Sequence, residues 1–471
     1  MRIFTDIAEA ERTILRRIPA TEPPLPPHVR EGIRRVFGRD LTAAGVAEEI
    51  CTAVAARGDD AVRDYTARID GVQLTTSEIA HAEMSAARER IAPALRTALE
   101  HAAARIDEFH RHERHEGWQW ITPEGMLGQI VRPLARVGIY VPGGTAAYPS
   151  TLLMSAIPAR VAGVRDIIVA TPPHPAGVAD VILAAAAIAG VDRVFTIGGA
   201  QAIAALAYGT ESVPRVDKIV GPGNPFVSAA KRYVFGAVAI DQIAGPTETV
   251  VIADESADPA RVAADLIAQA EHGETSSAIL LASATDDRIA RAVDAELTRQ
   301  LADLPRADIV RAALEASGGA VVVPTIAQAI ALANDYAPEH LCLLVREPWL
   351  YLGLVENAGG VFLGESSPEV LGDYIAGPSH VMPTGGSARF SSAMHVGDFV
   401  RTMSVVGLTP HAASMLAGDA AAIASAEGLE GHARAARLRM HAEKGFEVRG
   451  SEFGVDHRTS NLEPRTSKGR S

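Results

Sequence analysis

Cysteine is scarce in this chain, with only Cys51 and Cys342 among 471 residues. Two cysteines cannot build a disulfide framework or a cysteine-rich metal site, and such low usage is typical of a reducing compartment. Long apolar runs are also missing, since the longest, around residues 181–191, is far shorter than the ~20 residues that span a bilayer. The first residues carry charges where a signal peptide needs an apolar run. We therefore expect a cytoplasmic protein that binds no membrane.

Clustered basic residues are lacking as well. The net charge is -13, and the 44 lysines and arginines are dispersed along the chain. Binding to a phosphate backbone needs basic residues gathered on one surface, so no nucleic-acid partner is expected. The length allows about two to four domains with a large buried core.

The dinucleotide-binding motif G-x-G-x-x-G does not occur. Part of the chain nevertheless alternates between predicted strands and helices, as dinucleotide-binding domains do. Between residues 135 and 244, short β-branched runs end in glycine or proline turns and are separated by helical segments. This alternation predicts a parallel sheet whose strands end at one ligand-binding edge. Taken alone, each glycine pair is more typical of a plain turn than of a phosphate-binding loop. The sequence is therefore compatible both with a nucleotide site at this edge and with ordinary turns. The pairs occur in three turns: Gly143-Gly144, Gly198-Gly199 and Gly221-Pro222-Gly223.

A second alternation of strands and helices begins at Thr249 and runs to about residue 363. Its first helix, predicted for residues 259–272, carries Gln269 and His272 three positions apart on one face. A Gln-x-x-His pair alone is usually structural, but Asp373 and His432 follow further along the chain. Two imidazoles, a carboxylate and an amide oxygen suit zinc or a similar divalent ion. We therefore hypothesise a metal site formed by these four residues.

A carboxylate and an imidazole stand side by side at Glu339 and His340, directly after Pro338. Proline disfavours a helical conformation in the residue before it, so the helix predicted for residues 325–333 should stop and the pair should project from a loop. These are the two groups that a proton-transfer site needs. Two solvated surface residues after a helix are the alternative interpretation.

The two ends of the chain differ from its α/β middle. Residues 5–17 predict an amphipathic helix followed by a proline-rich linker, residues 41–114 predict several helices, and a short β region follows at Trp118. Residues 377–399 are rich in turns and are predicted to form an active-site loop. Alanine-rich residues 410–439 predict two or three helices, the last of which carries His432. The polar tail at 441–471 is expected to be disordered.

The motifs of this chain, taken together, resemble those of the histidinol dehydrogenase family. The resemblance runs from about residue 8 to residue 439, and the order of the motifs makes it specific. The motifs are V-G-I-Y-V-P-G-G from Val137, I-G-G-A-Q-A from Ile197, I-V-G-P-G-N from Ile219, A-G-P-T-E from Ala244, Q-A-E-H from Gln269, D-Y-A-P-E-H-L from Asp335, G-D-Y-I-A-G-P-S-H-V-M-P-T from Gly372 and E-G-L-E-G-H from Glu427.

This resemblance implies an α/β fold with two incomplete Rossmann-like parallel-sheet domains, a small N-terminal arm and a C-terminal helical domain. The arm and linker would occupy residues 1–27, and the tail residues 441–471. A discontinuous zinc and catalytic domain would comprise residues 28–139 and 248–393. The NAD-binding domain would comprise residues 140–247, and the helical domain residues 394–440.

The activity implied by the resemblance is the oxidation of L-histidinol to L-histidine through L-histidinal. It would use two NAD+ and one zinc ion per subunit, in a homodimer whose subunits share active sites. His340 would manage the protons of the alcohol and the hydrate, and Glu339 would activate the attacking water. The matching zinc ligands are Gln269, His272, Asp373 and His432, and the matching NAD contacts are Tyr140, Gln201 and Asn224. The substrate contacts would be Thr247, Gln269, His272, His340, Asp373, Glu427 and His432.

One position departs from the family, which often has serine where this chain has Thr247. A related zinc- and NAD-dependent alcohol dehydrogenase for a sulfonated diol is the nearest competing function, although Glu427 suits an amino alcohol because it can bind an ammonium group. A thiohemiacetal on Cys342 is a competing mechanism, but a cysteine between leucines is most often a buried hydrophobe. The sequence is also compatible with a non-catalytic metabolite-binding protein, or with a zinc hydrolase that would need no NAD.

Overall fold

The computed structural model describes residues 1–17, 25–113, 116–143 and 147–440. The chain divides into a larger unit, made of Met1–Glu116 with Val131–Arg401, and a smaller unit, made of Gly117–Ile130 with the residues from Thr402 onward. Most of the predicted proline-rich linker and the whole of the tail at 441–471 lie outside the described residues, as does Gly144. The domain boundaries inferred from the resemblance stay a prediction.

Helices and strands alternate along most of the described chain. The first part comprises β1 (Ile3–Phe4), α1 (Ile7–Arg12), α2 (Pro27–Phe37), α3 (Ala43–Arg57), α4 (Asp59–Tyr65), β2 (Glu78–Ile79), α5 (His81–Arg90), α6 (Pro93–Arg111), β3 (Trp118–Thr122) and β4 (Gly125–Pro133). The middle comprises β5 (Arg136–Tyr140), α7 (Pro149–Ala162), β6 (Asp166–Thr171), α8 (Asp180–Ala189), β7 (Arg193–Thr196), α9 (Gly199–Tyr208), β8 (Lys218–Val220), α10 (Pro225–Val234) and β9 (Ala239–Ile240). The last part comprises β10 (Glu248–Asp254), α11 (Pro259–Ala270), β11 (Ser277–Ser283), α12 (Arg288–Gln300), α13 (Ala307–Ser317), β12 (Gly319–Val323), α14 (Ile326–Tyr336), β13 (His340–Leu344), β14 (Gly360–Leu363), α15 (Glu369–Tyr374), β15 (Val400–Leu408), α16 (Pro410–Ala426) and α17 (Glu430–Arg437).

The first sheet of the larger unit has the strand order β2-β7-β6-β5-β8-β9. Its neighbours are parallel except β2 and β7, which are antiparallel. The strands predicted between residues 135 and 244 are therefore confirmed, and they are joined by crossover helices as parallel strands require. The carboxyl ends of β5, β7 and β8 lie at one edge, where the glycine turns follow.

The second sheet has the strand order β1-β12-β11-β10-β13-β14, and its strand pairs are parallel. The edge strand β1 was not predicted, because residues 5–17 suggested only a helical arm. The arm helix is also shorter than predicted: Asp6 caps it by accepting a hydrogen bond from the Ala8 N–H, and it ends at Arg12. The start of the chain is thus part of the second sheet.

Helices cover both faces of the two sheets, so their strands are apolar on both sides. In the first sheet, α3, α9 and α10 cover one face and α5 to α8 the other. In the second sheet, α11 to α13 cover one face and α1 with α14 the other. The strand β13 shows the alternation: Leu341 and Leu343 face one core, and Cys342 and Leu344 face the other.

The smaller unit contains a three-stranded sheet of order β15-β4-β3, followed by α16 and α17. The β region predicted at Trp118 is confirmed as β3, which pairs antiparallel with β4. The strand β15 was not predicted, since residues 394–440 were expected to be helical. No helix among the described residues is long and apolar enough to cross a bilayer. The predicted α/β architecture with two parallel-sheet regions and C-terminal helices is confirmed.

Candidate active site

Glu339 and His340 lie where α14 leads into β13. The helix continues to Tyr336 rather than ending at residue 333, and Ala337 then adopts a left-handed conformation with φ 51°. His340 is the first residue of β13. The pair does not project from an exposed loop, because Glu339 is only 7% and His340 only 3% exposed. The interpretation as solvated surface residues is therefore wrong.

The Glu339 carboxylate is held by the start of β10. Its Oε2 accepts hydrogen bonds from the Thr247 hydroxyl and from the Glu248 N–H, the latter at 3.1 Å. Burial raises the pKa of Glu339 to about 7, although His340 and these two hydrogen bonds act in the opposite direction. A carboxylate with this pKa can accept a proton near neutral pH and release it again.

The His340 ring lies between a backbone carbonyl and several carboxylates. Its Nδ1 is 3.2 Å from the Glu248 carbonyl oxygen, and its Nε2 is 3.7 Å from Asp373 Oδ1. Burial lowers the pKa of His340, but the charges of Glu369, Glu339 and Asp373 outweigh that effect and raise it to about 10. An unperturbed imidazole has a pKa near 6.5. The surrounding carboxylates thus favour the protonated form of His340.

Glu369 is a buried carboxylate that the sequence interpretation missed. It begins α15, is 1% exposed, and accepts a hydrogen bond from the Thr249 hydroxyl. Burial raises the pKa of Glu369 to about 7, and the nearby His340 opposes this rise. Glu369 and Asp373 are four residues apart on one helix, so they share a face. This four-residue spacing from Asp373 was the one sign in the sequence that pointed to Glu369.

Gln269 has an arrangement suited to holding a cation. It lies in the last turn of α11 and is fully buried, and its Nε2 donates to Thr247 Oγ1 at 3.0 Å. Its Oε1 is buried and, among the described residues, has no hydrogen-bond partner. A buried carbonyl oxygen without a donor is costly unless something binds it. Thr247 thus links Gln269 to Glu339, and its added methyl does not prevent either hydrogen bond.

His272 and Asp373 are near enough to His340 for the charges of the three groups to interact. The helix α11 ends at Ala270, so His272 follows the helix instead of sharing its face with Gln269 as predicted. His272 keeps an exposed surface, yet partial enclosure lowers its pKa and the Asp373 charge acts in the opposite direction. Asp373 itself is only 16% exposed at its side chain.

The remaining predicted residues, Glu427 and His432, belong to the smaller unit. Glu427 is the C-cap of α16, His432 lies on α17, and both are exposed. Within the described part of the chain, no group of three or more His, Cys, Asp or Glu side chains stands close enough to hold a metal ion. The structure places Asp373 near His340 and Gln269 beside Thr247, and the four-ligand set stays a prediction.

His380 is a second residue whose placement the sequence interpretation missed. Its Nδ1 is 2.8 Å from the Asp373 carbonyl oxygen, and its Nε2 is 3.0 Å from Thr151 Oγ1 on α7. The ring therefore fixes the turn that follows Asp373. Its motif, Gly377-Pro378-Ser379-His380, lies in the predicted turn-rich loop and in the family motif that begins at Gly372, but no role was assigned to the histidine.

Cys342 is fully buried in the middle of β13. Burial raises the pKa of its thiol well above the ordinary value. The thiolate that a thiohemiacetal requires is thus disfavoured, and the residue serves as a small apolar side chain.

This cluster lies at the amino edge of the second sheet. Glu248 is the first residue of β10, and His340 is the first residue of β13. Ligand sites in open α/β sheets normally lie at the carboxyl edge. The sequence interpretation applied that rule only to the first sheet, and the second sheet departs from it.

The predicted cofactor residues lie at the carboxyl edge of the first sheet. Tyr140 is the last residue of β5, and its hydroxyl accepts a hydrogen bond from the Gly199 N–H at 3.1 Å. Gln201, on α9, is 1% exposed, and its Oε1 lacks a partner within the described chain. Asn224 caps α10 by accepting from the Phe226 and Val227 N–H groups. Their side chains therefore share one edge, although their role as cofactor contacts stays a prediction.

A buried ion pair fixes the turn that leads to Asn224. Lys231 donates to Asp241 and, at 2.9 Å, to the Gly221 carbonyl, while the Gly221 N–H donates to Asp241 at 2.7 Å. Both polar groups of the Gly221 backbone are thus held by one pair. Gly221 has φ 108°, a conformation that glycine adopts without strain.

Asp70 provides a test of the burial at this edge. It accepts a hydrogen bond from Gln201 Nε2 at 3.1 Å, and burial raises its pKa from 3.8 to about 6. The folded state therefore binds this proton more tightly than the unfolded state, so its stabilising contribution is present below about pH 4 and is lost as the pH rises through about 6. Asp70→Asn should raise Tm more at pH 8 than at pH 5. Asp419→Asn, at an exposed position, is the control. An equal rise in Tm at both pH values for Asp70→Asn would contradict the assignment of a raised pKa to Asp70.

Comparison with known proteins identifies relatives along nearly the whole chain. The histidinol dehydrogenase family profile matches residues 38–440. The histidinol dehydrogenase of Thermus thermophilus is 54% identical over 406 residues, covering 86% of this chain and 97% of the relative. That of Deinococcus radiodurans is 50% identical over 436 residues, covering 92% of this chain and 98% of the relative.

A solved structure agrees with these sequence relatives. The crystal structure of histidinol dehydrogenase from Elizabethkingia anophelis superposes with a TM-score of 0.83 at 34% identity, covering 93% of this chain and 97% of that one. The chain with these two parallel sheets is thus an oxidoreductase. The chain is a member of the histidinol dehydrogenase family.

Proposed function

We propose that this protein oxidises L-histidinol to L-histidine through L-histidinal, using two NAD+ in turn and one zinc ion per subunit. The observation that carries the proposal is the buried Glu339–His340 pair, which is linked to Gln269 through Thr247 and has Asp373 3.7 Å from His340. Relatives at 54% and 50% identity that bear the name histidinol dehydrogenase support it.

Zinc would be held by Gln269, His272, Asp373 and His432. The fit rests on the unpartnered buried Oε1 of Gln269 and on the closeness of Asp373 to His340. A nitrogen and oxygen donor set of this kind suits a divalent ion that retains room for substrate. When bound, the ion would offset the negative charge of Asp373 and hold the substrate nitrogen atoms in place.

The two residues of the pair divide the proton transfers of the two oxidations. In its neutral form, which a cation bound beside Asp373 would favour, His340 takes the hydroxyl proton of the alcohol, and the surrounding carboxylates stabilise the imidazolium that results. Glu339, with a pKa of about 7, takes a proton from the water that attacks the aldehyde. Once the first proton has been released to solvent, His340 takes the hydroxyl proton of the hydrate. Burial of both side chains limits access of other water molecules to the aldehyde.

The cofactor would supply the hydride acceptor for both steps and would contact Tyr140, Gln201 and Asn224. Gln201 supports this assignment because its Oε1 is buried without a partner among the described residues. Substrate would contact Thr247, His340 and the metal-holding residues, with Glu427 binding the ammonium group. Thr247 already joins Gln269 to Glu339 by hydrogen bonds.

The direct test is an absorbance assay at the NADH band with the zinc-loaded protein, histidinol and NAD+. Two NADH should form for each histidine produced. A sulfonated diol serves as the competing substrate. NADH production from the diol alone would replace the proposal with the related alcohol dehydrogenase, and no NADH from either would favour a non-catalytic protein.

We also propose a homodimer in which Glu427 and His432 of each chain complete the active site of the other chain. Support comes from the family resemblance and from the position of both residues in the smaller unit with exposed side chains. Each active site would then contain residues from two chains. Dimers assembled from two different variants can reveal such sharing.

Mixing two inactive variants should therefore restore activity. After joint refolding of His432→Ala and His272→Ala chains, about half of the dimers are mixed, and one of their two sites carries neither defect. About a quarter of wild-type activity should return for a closed two-fold dimer. Samples that exchange subunits but stay as inactive as either variant would place both residues in one chain's site.

A further inference from the structure

Arg17 reaches from the N-terminal segment to the residues that precede Glu339. Its Nε donates to the Tyr336 carbonyl at 2.6 Å, and its Nη2 donates to the Ala337 carbonyl at 3.0 Å. The guanidinium also lies over the Tyr336 ring, 3.6 Å from its centroid. The last carbonyls of α14 are thus bound by a residue more than 300 positions earlier in the chain.

The same guanidinium binds the Glu248 carboxylate through both of its oxygens, with Nη2 at 2.8 Å from Oε2. Glu248 is 6% exposed, so this pair is largely shielded from water. The Glu248 N–H in turn donates to Glu339 at 3.1 Å. Arg17 therefore supports Glu339 from two directions, through Ala337 before it and through Glu248 beside it.

The conformation of Ala337 shows why such support is needed. Ala337 is the one non-glycine residue with positive φ among the described residues. Residues other than glycine adopt this conformation only when the surrounding structure holds them there. The direction in which Pro338 and Glu339 leave the helix depends on that conformation, so the bond from Arg17 to the Ala337 carbonyl bears directly on the position of Glu339.

His340 depends less on this support, because it belongs to the strand ladder. The parallel pairing of β10 and β13 begins at Thr249 and His340. Glu339 precedes the first paired residue, and its backbone joins the ladder through its carbonyl, which accepts from the Gly360 N–H at 2.8 Å. Loss of Arg17 should therefore displace Glu339 more than His340.

We propose that Arg17 is a positioning residue for Glu339, and hence that the N-terminal segment takes part in the second oxidation. The inference rests on the proposed role of Glu339 as the group that activates water. It adds a residue that precedes the part of the chain matched by the family profile, residues 38–440.

The test compares Arg17→Met with Arg16→Met, which changes the exposed neighbour, in single-turnover assays of aldehyde and alcohol oxidation. Arg17→Met should lower the rate of aldehyde oxidation by about tenfold or more, since small displacements of a catalytic group have effects of this size. Alcohol oxidation and the KM for NAD+ should change little. Arg17→Lys keeps the positive charge but loses the planar guanidinium that binds several acceptors at once. It should show the same selective loss of aldehyde oxidation to a smaller extent, without the risk of unfolding.

A double-mutant cycle separates this role from simple destabilisation. In a Glu339→Gln background, Arg17→Met should lower aldehyde oxidation by less than about twofold, because the group it positions is already inactive. Equal losses in both backgrounds, or variants at Arg17 that match Arg16→Met, would overturn the role of Arg17 while leaving Glu339 in place. Full aldehyde oxidation by Glu339→Gln alone would instead overturn the role of Glu339 and this inference with it.

Discussion

Replacing Glu339 with glutamine should slow aldehyde oxidation by about 100-fold or more, the usual cost of losing a general base, and should slow alcohol oxidation far less. Only the second oxidation requires an activated water. Glutamine keeps the size of the side chain and can still accept from Thr247 and the Glu248 N–H. The loss is therefore chemical and leaves the packing intact. Supplying histidinol and histidinal separately, and measuring NADH from each, gives the two rates.

The pH dependence provides a second signature of the same residue. Glu339 acts as a base in its deprotonated form and its pKa is about 7, so the wild-type rate of aldehyde oxidation should rise as the pH passes through about 7. In Glu339→Gln that rise should disappear. Glu369→Gln is the matched control, since it removes another buried carboxylate beside His340 and should affect both oxidations. Equal losses in both half-reactions of Glu339→Gln would argue against water activation by Glu339.

Removing the divalent ion should abolish turnover, and zinc should restore it. The physical reason is that the buried Oε1 of Gln269 has no donor among the described residues, while Asp373 adds a charge beside His340 that needs compensation. Protein treated with a chelator should also lose thermal stability, because an ion that binds only the folded state stabilises it. Metal content and Tm can be measured without reference to activity.

Gln269→Leu should weaken zinc binding, since leucine keeps the volume but removes the oxygen donor. Gln300→Leu is a suitable control, because Gln300 also ends a helix and its side chain donates to the Ala260 carbonyl, away from the cluster. The expected result is reduced zinc content in the first variant and unchanged content in the second. Full activity in protein verified to be free of metal would contradict the metal site.

The predictable features were those that local sequence patterns determine. The strands β5 to β8, β10 to β12 and β14 follow from apolar runs between turns, and the stop near Pro338 follows from backbone sterics, whereas β13 was not predicted. The adjacency of Glu339 and His340 is visible in the sequence itself. Their burial is not, because it depends on β10 and α15, which come from distant parts of the chain.

The features that the sequence did not reveal share a physical cause. Glu369 is buried because its helix returns across the second sheet to Thr249, and Arg17 is bound because the N-terminal segment pairs at the edge of that sheet. A charged residue with such partners has the same local sequence signature as a solvated one. The edge strands β1 and β15 were missed for a related reason, since neither carries the long apolar run of an interior strand.

The amino edge of the second sheet, where Glu339 and His340 lie, also has a characteristic local electric field. Helices that connect parallel strands run back to the amino edge, so α11 and α14 deliver their C-terminal ends there, at Ala270 and Tyr336. A helix C-terminus carries a partial negative charge, which favours cations. The first sheet presents the opposite ends, since α9 and α10 begin at its carboxyl edge, and helix N-termini favour anions such as a dinucleotide pyrophosphate. One chain thus offers a cation-favouring side, suited to a metal ion and an amino alcohol, and an anion-favouring side, suited to the cofactor.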